Sequence, residues 1–430
     1  MNPKHLARKV LPKKGIKLAE ESYRKSRLAS VHVRYGLPAK GLKIIAVTGT
    51  NGKTSTCNFL NDILKFAGLR TAMFTTAVVE MDGQRSANTT HRTVPLTSDL
   101  FRFLKDAKTK KVDWVILETT AHALQQHKMW GIPIEIAVMT NLTQDHLDYF
   151  GTMQKYAEAK AKLFGKYMNP KFSILNTDDE WFEFYKKASI SPIYTYGKDQ
   201  RADLRINSIK ETSEGLGLVF ETKDCKINAQ APVIGEFNAY NIAAAVAVSM
   251  RLEISPDVIR KAIAEIGSVP GRMELVRSSK GFTAVIDYAV TPDALEKALK
   301  ALKSIAKGKV SVIFGATGDR DKLKRPIMGE VAVQNADRIY LTDDETYTEN
   351  GDQIRKEVMA GILKAGGENK TVEIADRYEA IKKAVQEAKN GDMILVAGLG
   401  HQDYRAMNEG HMPWQEVEVV KTILEETGKK

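Results

Sequence analysis

Residues 43–66 constrain this chain more than any other stretch. Lys43-Ile-Ile-Ala-Val-Thr48 is a short apolar run of the kind that forms a buried strand. Gly49-Thr-Asn-Gly-Lys-Thr54 follows it, and a helical pattern opens near Lys53. A strand that feeds a glycine-bearing loop into a helix N-terminus aims backbone N–H groups at one spot, where the helix dipole favours an anion. Lys53 adds a positive charge and Thr54 a hydroxyl suited to magnesium. Gly49, Thr50, Asn51, Gly52, Lys53 and Thr54 are therefore candidate phosphate-binding residues. The usual loop has its first glycine five residues before the Gly-Lys pair, where this chain has Val47, so the loop is a variant.

The same alternation of strand and helix continues. Val112-Asp-Trp-Val-Ile-Leu reads as a strand ending at Glu118, and Ile134-Glu-Ile-Ala-Val-Met as one ending at Thr140-Asn141. An alanine-rich helical run at Asn238 to Met250 leads to a break at Ser268-Val-Pro-Gly271. Four more strand patterns follow, at Thr283, Val310, Arg338 and Met393, separated by helical stretches. The fold expected is α/β: a central phosphate-loop domain on a parallel sheet, then a Rossmann-like C-terminal α/β domain. The expected segments are a basic arm at 1–40, the central domain at 41–271 and the C-terminal domain at 272–430.

At 430 residues the chain exceeds what one core usually serves. Its net charge of +11 suggests nucleic acid until it is mapped. Residues 1–40 hold eleven Lys or Arg against Glu20 and Glu21, so the arm carries +9 of that charge. The nearly neutral remainder has no basic stripe studded with aromatics, which argues against nucleic acid. In the arm, Leu6, Val10 and Leu11 fall at helical spacing, with Ile16 and Leu18 less regular. That pattern suits a solvated helix interrupted by Pro12, or contact with an anionic membrane surface. No apolar run has membrane-spanning length, and the start lacks the pattern of a secretory signal. Two cysteines, Cys57 and Cys225, form no framework, and a cytoplasmic location is expected.

Two further residues qualify for the site by position. Glu118 at a strand end suits magnesium bound to a triphosphate, or equally a helix N-cap or a surface acid. His146 lies in Thr143-Gln-Asp-His-Leu-Asp148 just after the third strand, where a lone histidine is as readily structural as a ligand.

Together these stretches resemble the Mur ligase family, specifically its members that add an amino acid. The resemblance runs in consistent order from about Lys43 to the end. It rests on Val47-Thr-Gly-Thr-Asn-Gly-Lys-Thr, Glu118-Thr-Thr-Ala-His-Ala-Leu, Asn141-Leu-Thr-Gln-Asp-His-Leu-Asp-Tyr-Phe-Gly, Tyr156-Ala-Glu-Ala-Lys160, Gly235-Glu-Phe-Asn-Ala-Tyr-Asn241, Pro270-Gly-Arg-Met-Glu274, Asp287-Tyr-Ala, Thr291-Pro-Asp-Ala-Leu295 and Gly318-Asp-Arg-Asp-Lys322. It implies a P-loop-type ATPase domain, ATP and magnesium as cofactors, and an amide bond made through an acyl-phosphate. The joined partners would be a carboxylate-ending, muramyl-peptide-like acceptor and a free amino acid, handled by a monomer.

By the same resemblance, Glu118 and His146 join Thr54 as magnesium ligands, and Lys160 carries a carbamate that supplies another anionic oxygen. Read alone, Lys160 is an exposed helical lysine. Asn238, Asn241, Arg272 and Asp287 would hold the nucleotide; read alone, the two asparagines are helix-start residues. Thr93, Thr120, Gln126 and Lys128 match acceptor-side positions. Arg325 would take the α-carboxylate of the amino acid, with Asp344, Gly398 and Gln402 around it.

The chain also departs from the family pattern. About forty residues precede the first strand, too few for the family's nucleotide-sugar-binding domain, so a chain without that domain is expected. Val94, Lys128 and Val290 replace a threonine, an arginine and a histidine. The Asp-Asn-Pro-Arg element that reads diaminopimelate is Asp344-Glu-Thr-Tyr347 here, and Gly398-Leu-Gly-His-Gln402 replaces Gly-Lys-Gly-His-Glu. Losing that arginine disfavours a second carboxylate, and Asp343, Asp344 and Glu345 would suit a basic side chain such as lysine. A folylpolyglutamate-type ligase, or a regulatory scaffold that keeps nucleotide binding, are the competing readings.

Overall fold

The computed structural model describes residues 34–90, 92–95 and 97–428, together with Ser26 and Ser30. The Leu6 to Leu18 pattern of the arm lies outside the described residues. Among those residues no helix is long and apolar enough to cross a membrane.

The larger sheet takes its strands from β1 (Ile44–Thr48), β2 (Thr71–Phe74), β3 (Val78–Met81), β4 (Gln84–Ala87), β5 (Trp114–Glu118), β6 (Ile136–Met139), β7 (Phe172–Asn176), β8 (Ile193–Gly197), β9 (Leu204–Thr212), β10 (Gly215–Glu221) and β11 (Lys226–Ala231). Their order is β11-β10-β9-β8-β7-β6-β1-β5-β2-β3-β4. Every pairing from β9 through β1 to β2 is parallel, and antiparallel pairings close both edges. Strand β1 thus lies between β6 and β5, where successive connections diverge and leave a crevice at the strand ends.

Every residue of β1, β5 and β6 is buried, because helices cover both faces of these strands. Period-two alternation sends Ile45 and Val47 to one core, with Cys57 and Leu60 of α1 (Lys53–Phe66). Ile44 and Ala46 enter the opposite core, with Tyr156 and Ala157 of α2 (Met153–Ala161). The alanine run of α3 (Glu236–Arg251) packs Ala243, Ala244 and Ala247 into the first of these cores. Small side chains there leave room for backbones to approach closely.

The second sheet contains β12 (Glu274–Arg277), β13 (Thr283–Asp287), β14 (Val310–Phe314), β15 (Arg338–Leu341), β16 (Thr371–Glu373) and β17 (Met393–Ala397), in the order β12-β13-β17-β14-β15-β16. Only the β12–β13 pairing is antiparallel. Helices α4 (Pro292–Ile305) and α5 (Lys324–Asn335) cover one face, and helices Arg377–Glu387 and Glu416–Gly428 the other. Thr291 caps α4 by accepting the Ala294 N–H at 3.2 Å, with Pro292 in the first turn. This brings the start of α4 to the loop that follows β1.

Candidate functional site

A cleft of about 1530 Å³ opens between the two sheets, and the loop after β1 forms part of its wall. Two glycines make the loop's shape possible. Gly49 has φ 151°, and a Cβ there would lie 1.8 Å from Thr140 Oγ1. Gly52 has φ 83°, and a Cβ there would lie 2.1 Å from Asn241 Oδ1. The loop is pinned by Thr50 N–H donating to Asn141 O at 2.8 Å and by Asn51 N–H donating to Asn141 Oδ1 at 3.0 Å. Asn51 Nδ2 reaches the C-terminal half, donating to Asp293 Oδ2 of α4 at 2.8 Å.

Charge is concentrated beside this loop. Lys53 Nζ donates to Thr50 O at 2.7 Å; burial lowers its pKa, with Glu118 opposing and Arg272 assisting. Thr54 Oγ1 donates to Glu118 Oε2 at 2.9 Å, so the hydroxyl and carboxylate expected at a magnesium ion are already neighbours. Glu118 also accepts Thr76 N–H and Thr76 Oγ1–H, both at 2.8 Å. Glu118 is therefore neither an N-cap nor a surface acid: it is 3 % exposed and faces the cleft.

Lys160 is no surface lysine either. It is 1 % exposed, donates to Gly49 O at 2.6 Å and lies 4.5 Å from the Tyr156 ring centre. Burial, then nearby Lys53, push its pKa well below that of an ordinary lysine, which favours the neutral amine. His146 takes a left-handed φ of 56° and places Nε2 3.3 Å from Asp145. Burial lowers its pKa to about 4, so the ring is neutral at physiological pH. The His122 ring packs edge-on against it at 4.7 Å. No group of three or more His, Cys, Asp or Glu forms a metal cage among the described residues. The Thr54–Glu118 pair still fits magnesium brought in on a triphosphate, which keeps several waters and needs only one or two protein carboxylates.

The remaining candidates separate by location. Asn241, Arg272 and Asp287 line the cleft. Arg272 Nη2 donates to Thr54 Oγ1 at 3.4 Å, and its guanidinium lies 4.5 Å from the Tyr288 ring centre. Asp287 accepts Met273 N–H at 2.8 Å, and burial raises its pKa to about 6. Asn238 sits behind the wall and accepts from Asn241 Nδ2 at 2.9 Å, which orients that amide. Thr93, hydrogen-bonded to Thr76 at 2.8 Å, and Thr120 line the cleft. Gln126 and Lys128 are not part of its wall.

The amino-acid side of the expected site needs correction. Arg325 does not face the cleft: it is 0 % exposed, donates to both oxygens of Glu349 at 2.9 and 3.0 Å, and donates to Glu357 at 2.7 Å. With its guanidinium committed in this way, it ties α5 to the loop and helix that follow β15. Asp343 is paired with Arg355. Asp344 is buried against Gly398, away from the cleft, with its backbone carbonyl held by Arg405 at 3.1 Å. Of the three acids expected to receive a basic side chain, only Glu345 reaches the cleft, beside Gln402. Arg325→Ala is therefore expected to lower stability by about 2–4 kcal/mol, since it strands two carboxylates. Thermal denaturation would show that loss, with no selective rise in KM for an amino acid.

Residues that the sequence reading passed over complete the site. Thr76 orients Glu118, and no local pattern marks it. Asp145 and Lys324, 3.7 Å apart, join the two halves across the cleft. Asp145 stands next to His146 in the same motif, so that neighbour was the available signal.

Residues 47–249 match the Mur ligase middle domain, and residues 271–400 match the Mur ligase, glutamate ligase domain. The chain is 39% identical over 403 residues to UDP-N-acetylmuramoyl-L-alanyl-D-glutamate--2,6-diaminopimelate ligase of Geobacillus kaustophilus, covering 92% of this chain and 81% of that protein. The Aquifex aeolicus protein of the same name is 38% identical, with 94% and 82% covered. A solved ligase of that name aligns at TM-score 0.62 and 32% identity, over 90% of this chain and 79% of that one. Folylpolyglutamate synthase of Mycobacterium tuberculosis complexed with ADP aligns at TM-score 0.70 and 17% identity, over 87% and 91%, a likeness of fold alone.

Proposed function

Since the chain belongs to the Mur ligase family of ATP-dependent ligases, we propose that it joins a free amino acid to the carboxylate of a muramyl-peptide acceptor ending in a glutamyl residue. The acceptor class is taken from the relatives named above. The observation that carries the ATP half of the reaction is the Thr54–Glu118 pair set beside Lys53 in a glycine-shaped loop.

In this reading the loop N–H groups and Lys53 hold the ATP phosphates, while Asn241, Arg272 and Asp287 hold the rest of the nucleotide. Thr54, Glu118, His146 and a carbamate on Lys160 would hold magnesium, which supplies charge neutralisation when bound. The burial of the Lys160 amine, which disfavours its charged form, suits carbamate formation: the nitrogen lone pair of the uncharged amine adds to carbon dioxide and one amine proton leaves. An acceptor carboxylate oxygen attacks the γ-phosphorus, the bond to ADP breaks, and Lys53 offsets charge on the transferring group. The amine of the amino acid then attacks the acyl-phosphate carbon. It loses a proton, and phosphate leaves from a tetrahedral intermediate. Water must be excluded at that stage, and the Asn51–Asp293 and Asp145–Lys324 contacts hold the two halves together around the cleft. We take the enzyme to act as a monomer in the cytoplasm, where its free cysteines Cys57 and Cys225 stay reduced.

The test supplies ATP, magnesium, single amino acids and UDP-N-acetylmuramoyl-L-alanyl-D-glutamate, or the same muramyl dipeptide without UDP. Phosphate release and product mass are measured together. One phosphate per amide formed is the expected result. No product with any pair would overturn the ligase reading in favour of a nucleotide-binding scaffold.

A further inference from the structure

The parallel strands β2, β5, β1, β6, β7 and β8 all start at one edge of the larger sheet and finish at the other. The finishing edge carries the cleft, whose wall includes the loop after β1, Glu118 at the end of β5 and Asn141 after β6. The starting edge faces away from it. Backbone hydrogen bonds tie that edge into one row: Asp113 N–H donates to Arg70 O at 2.7 Å, Val115 N–H to Lys43 O at 2.9 Å, Glu135 N–H to Ile44 O at 2.8 Å and Lys171 N–H to Glu135 O at 3.0 Å. Six strands at the usual spacing make the row about 25 Å wide.

Four large apolar side chains stand in water along this edge. Leu37, Phe66, Trp130 and Ile190 are 52, 44, 46 and 47 % exposed, and they lie on the approaches to β1, β2, β6 and β8 in that order. Exposed lysines stand between them: Lys40 and Lys43 before β1, Lys108, Lys110 and Lys111 before β5, and Lys166 before β7. Among the described residues none of these six is ion-paired, whereas Arg70 and Lys171 on the same edge are held by Asp82 and Glu135. The helices that cover a parallel sheet end at this edge, and cations suit their C-termini. That dipole effect accounts for lysines but not for large apolar groups left in water between them, a mixture that marks a contact surface. The chain also enters β1 here, so residues 1–40, with a net charge of +9, join the domain at the same edge.

We propose that this edge docks the protein on an anionic lipid surface. The lysine ammonium groups meet headgroup phosphates. Leu37, Phe66, Trp130 and Ile190 enter the headgroup boundary, a depth that suits the amphipathic indole of Trp130. Single side chains projecting along a broad edge fit a fluid, deformable partner better than the shaped surface of a protein. Aliphatic tips such as Leu37 and Ile190 offer no stacking to a nucleic-acid base. Docked in this way, the cleft opens away from the lipid into the surrounding solution. The docking does not depend on the proposed ligase function.

Co-sedimentation of the full chain with vesicles tests the proposal, comparing phosphatidylcholine alone with phosphatidylcholine mixed with phosphatidylglycerol. Binding is expected to the anionic vesicles only, and to weaken at high salt. K108E/K110E/K111E reverses three exposed charges away from the cleft. It is expected to weaken vesicle binding by roughly 100-fold or more, at about fivefold for each lysine lost from the surface, and to leave binding of a fluorescent ATP analogue unchanged. K210E/K223E/K226E makes the same charge change around strands β9 to β11 and is expected to cost less than about threefold, because charges held away from the lipid are screened. Trp130→Phe keeps an apolar ring and should still bind, yet remove most of the blue shift in tryptophan emission that anionic vesicles induce. Equal binding to neutral and anionic vesicles, or equal losses in the two triple variants, would overturn the proposal. Vesicle binding untouched by K108E/K110E/K111E would overturn it and leave the N-terminal arm as the attachment. A dimer that this variant dissolves, or a mixed-sequence RNA that anionic vesicles fail to displace, would overturn it by assigning the edge to a second copy of the chain or to nucleic acid.

Discussion

Lys160→Ala is expected to cut ligation by roughly a thousandfold, a loss of the size seen when a charge-stabilising group is removed from an active site. Lys160 is buried beside the phosphate loop, donates to Gly49 O, and is surrounded so that its charged form is disfavoured. A role in packing alone and a role as carbamate both predict some loss, so the loss by itself does not separate them. Chemical rescue does. Alanine leaves space where a short carboxylate can enter, and millimolar formate, acetate or propionate should restore part of the rate. Lys160→Met fills that space with an apolar chain and should stay inactive with or without added acid. Wild-type activity should fall in buffer stripped of carbon dioxide and return with bicarbonate. Full activity of Lys160→Ala would sink the carbamate assignment.

What could be read in advance followed from how local each feature is. The loop at Gly49 to Thr54 and the strands β1, β5, β6, β13, β14, β15 and β17 are continuous in sequence, and their apolar runs are the direct consequence of burial on both faces. The strands β7 to β11 carry a weaker signal than these, although Lys226-Ile-Asn-Ala-Gln-Ala231 alternates with period two, with Ile227, Ala229 and Ala231 buried. That alternation was a usable signal. Other features were never local. The burial of Arg325 depends on Glu349 and Glu357, which lie 24 and 32 residues away. Lys160 meets Gly49 across 111 residues, and in its own helix it looks like any solvated lysine. The acids at 343–345 read as one run, yet backbone direction sends Asp343 to Arg355, Asp344 into the interior and Glu345 to the cleft. Composition alone has no access to that sorting.

Gly49→Ala is expected to weaken ATP binding by at least about a hundredfold and to cost about 2–4 kcal/mol of stability. The added methyl would meet Thr140 Oγ1 at 1.8 Å and the Asn141 backbone nitrogen at 3.1 Å. Thr140 cannot turn away freely, because its hydroxyl holds Asn51 O at 2.7 Å and Thr48 O at 3.3 Å. Relief must therefore come from the loop itself, which carries the proposed phosphate-binding N–H groups. Gly68→Ala provides the control: Gly68 also has a positive φ, 81°, but a Cβ there meets nothing within 4 Å. It should cost about 1 kcal/mol from backbone strain and leave nucleotide binding intact. Thermal denaturation and titration with a fluorescent ATP analogue measure both effects. Equal nucleotide affinity in the two variants would show that the loop tolerates displacement.

The burial of Asp344 carries a consequence for how this wall of the cleft changes over evolution. Its carboxylate oxygen lies 2.6 Å from where a side chain at Gly398 would begin, and Arg405 holds the carbonyls of Asp343 and Asp344 at 2.9 and 3.1 Å. Arg377 anchors Ala397 O at 2.8 Å while paired with Glu416, so the strand end leading to Gly398 is fastened from the other side. Backbone on both flanks of Glu345 is thus a fixed frame, from which the side chains at 345, 347 and 402 line the cleft. A change in what this wall of the cleft receives would then come from side-chain replacements at those three places, while grafting a whole loop from a relative would have to rebuild the frame as well.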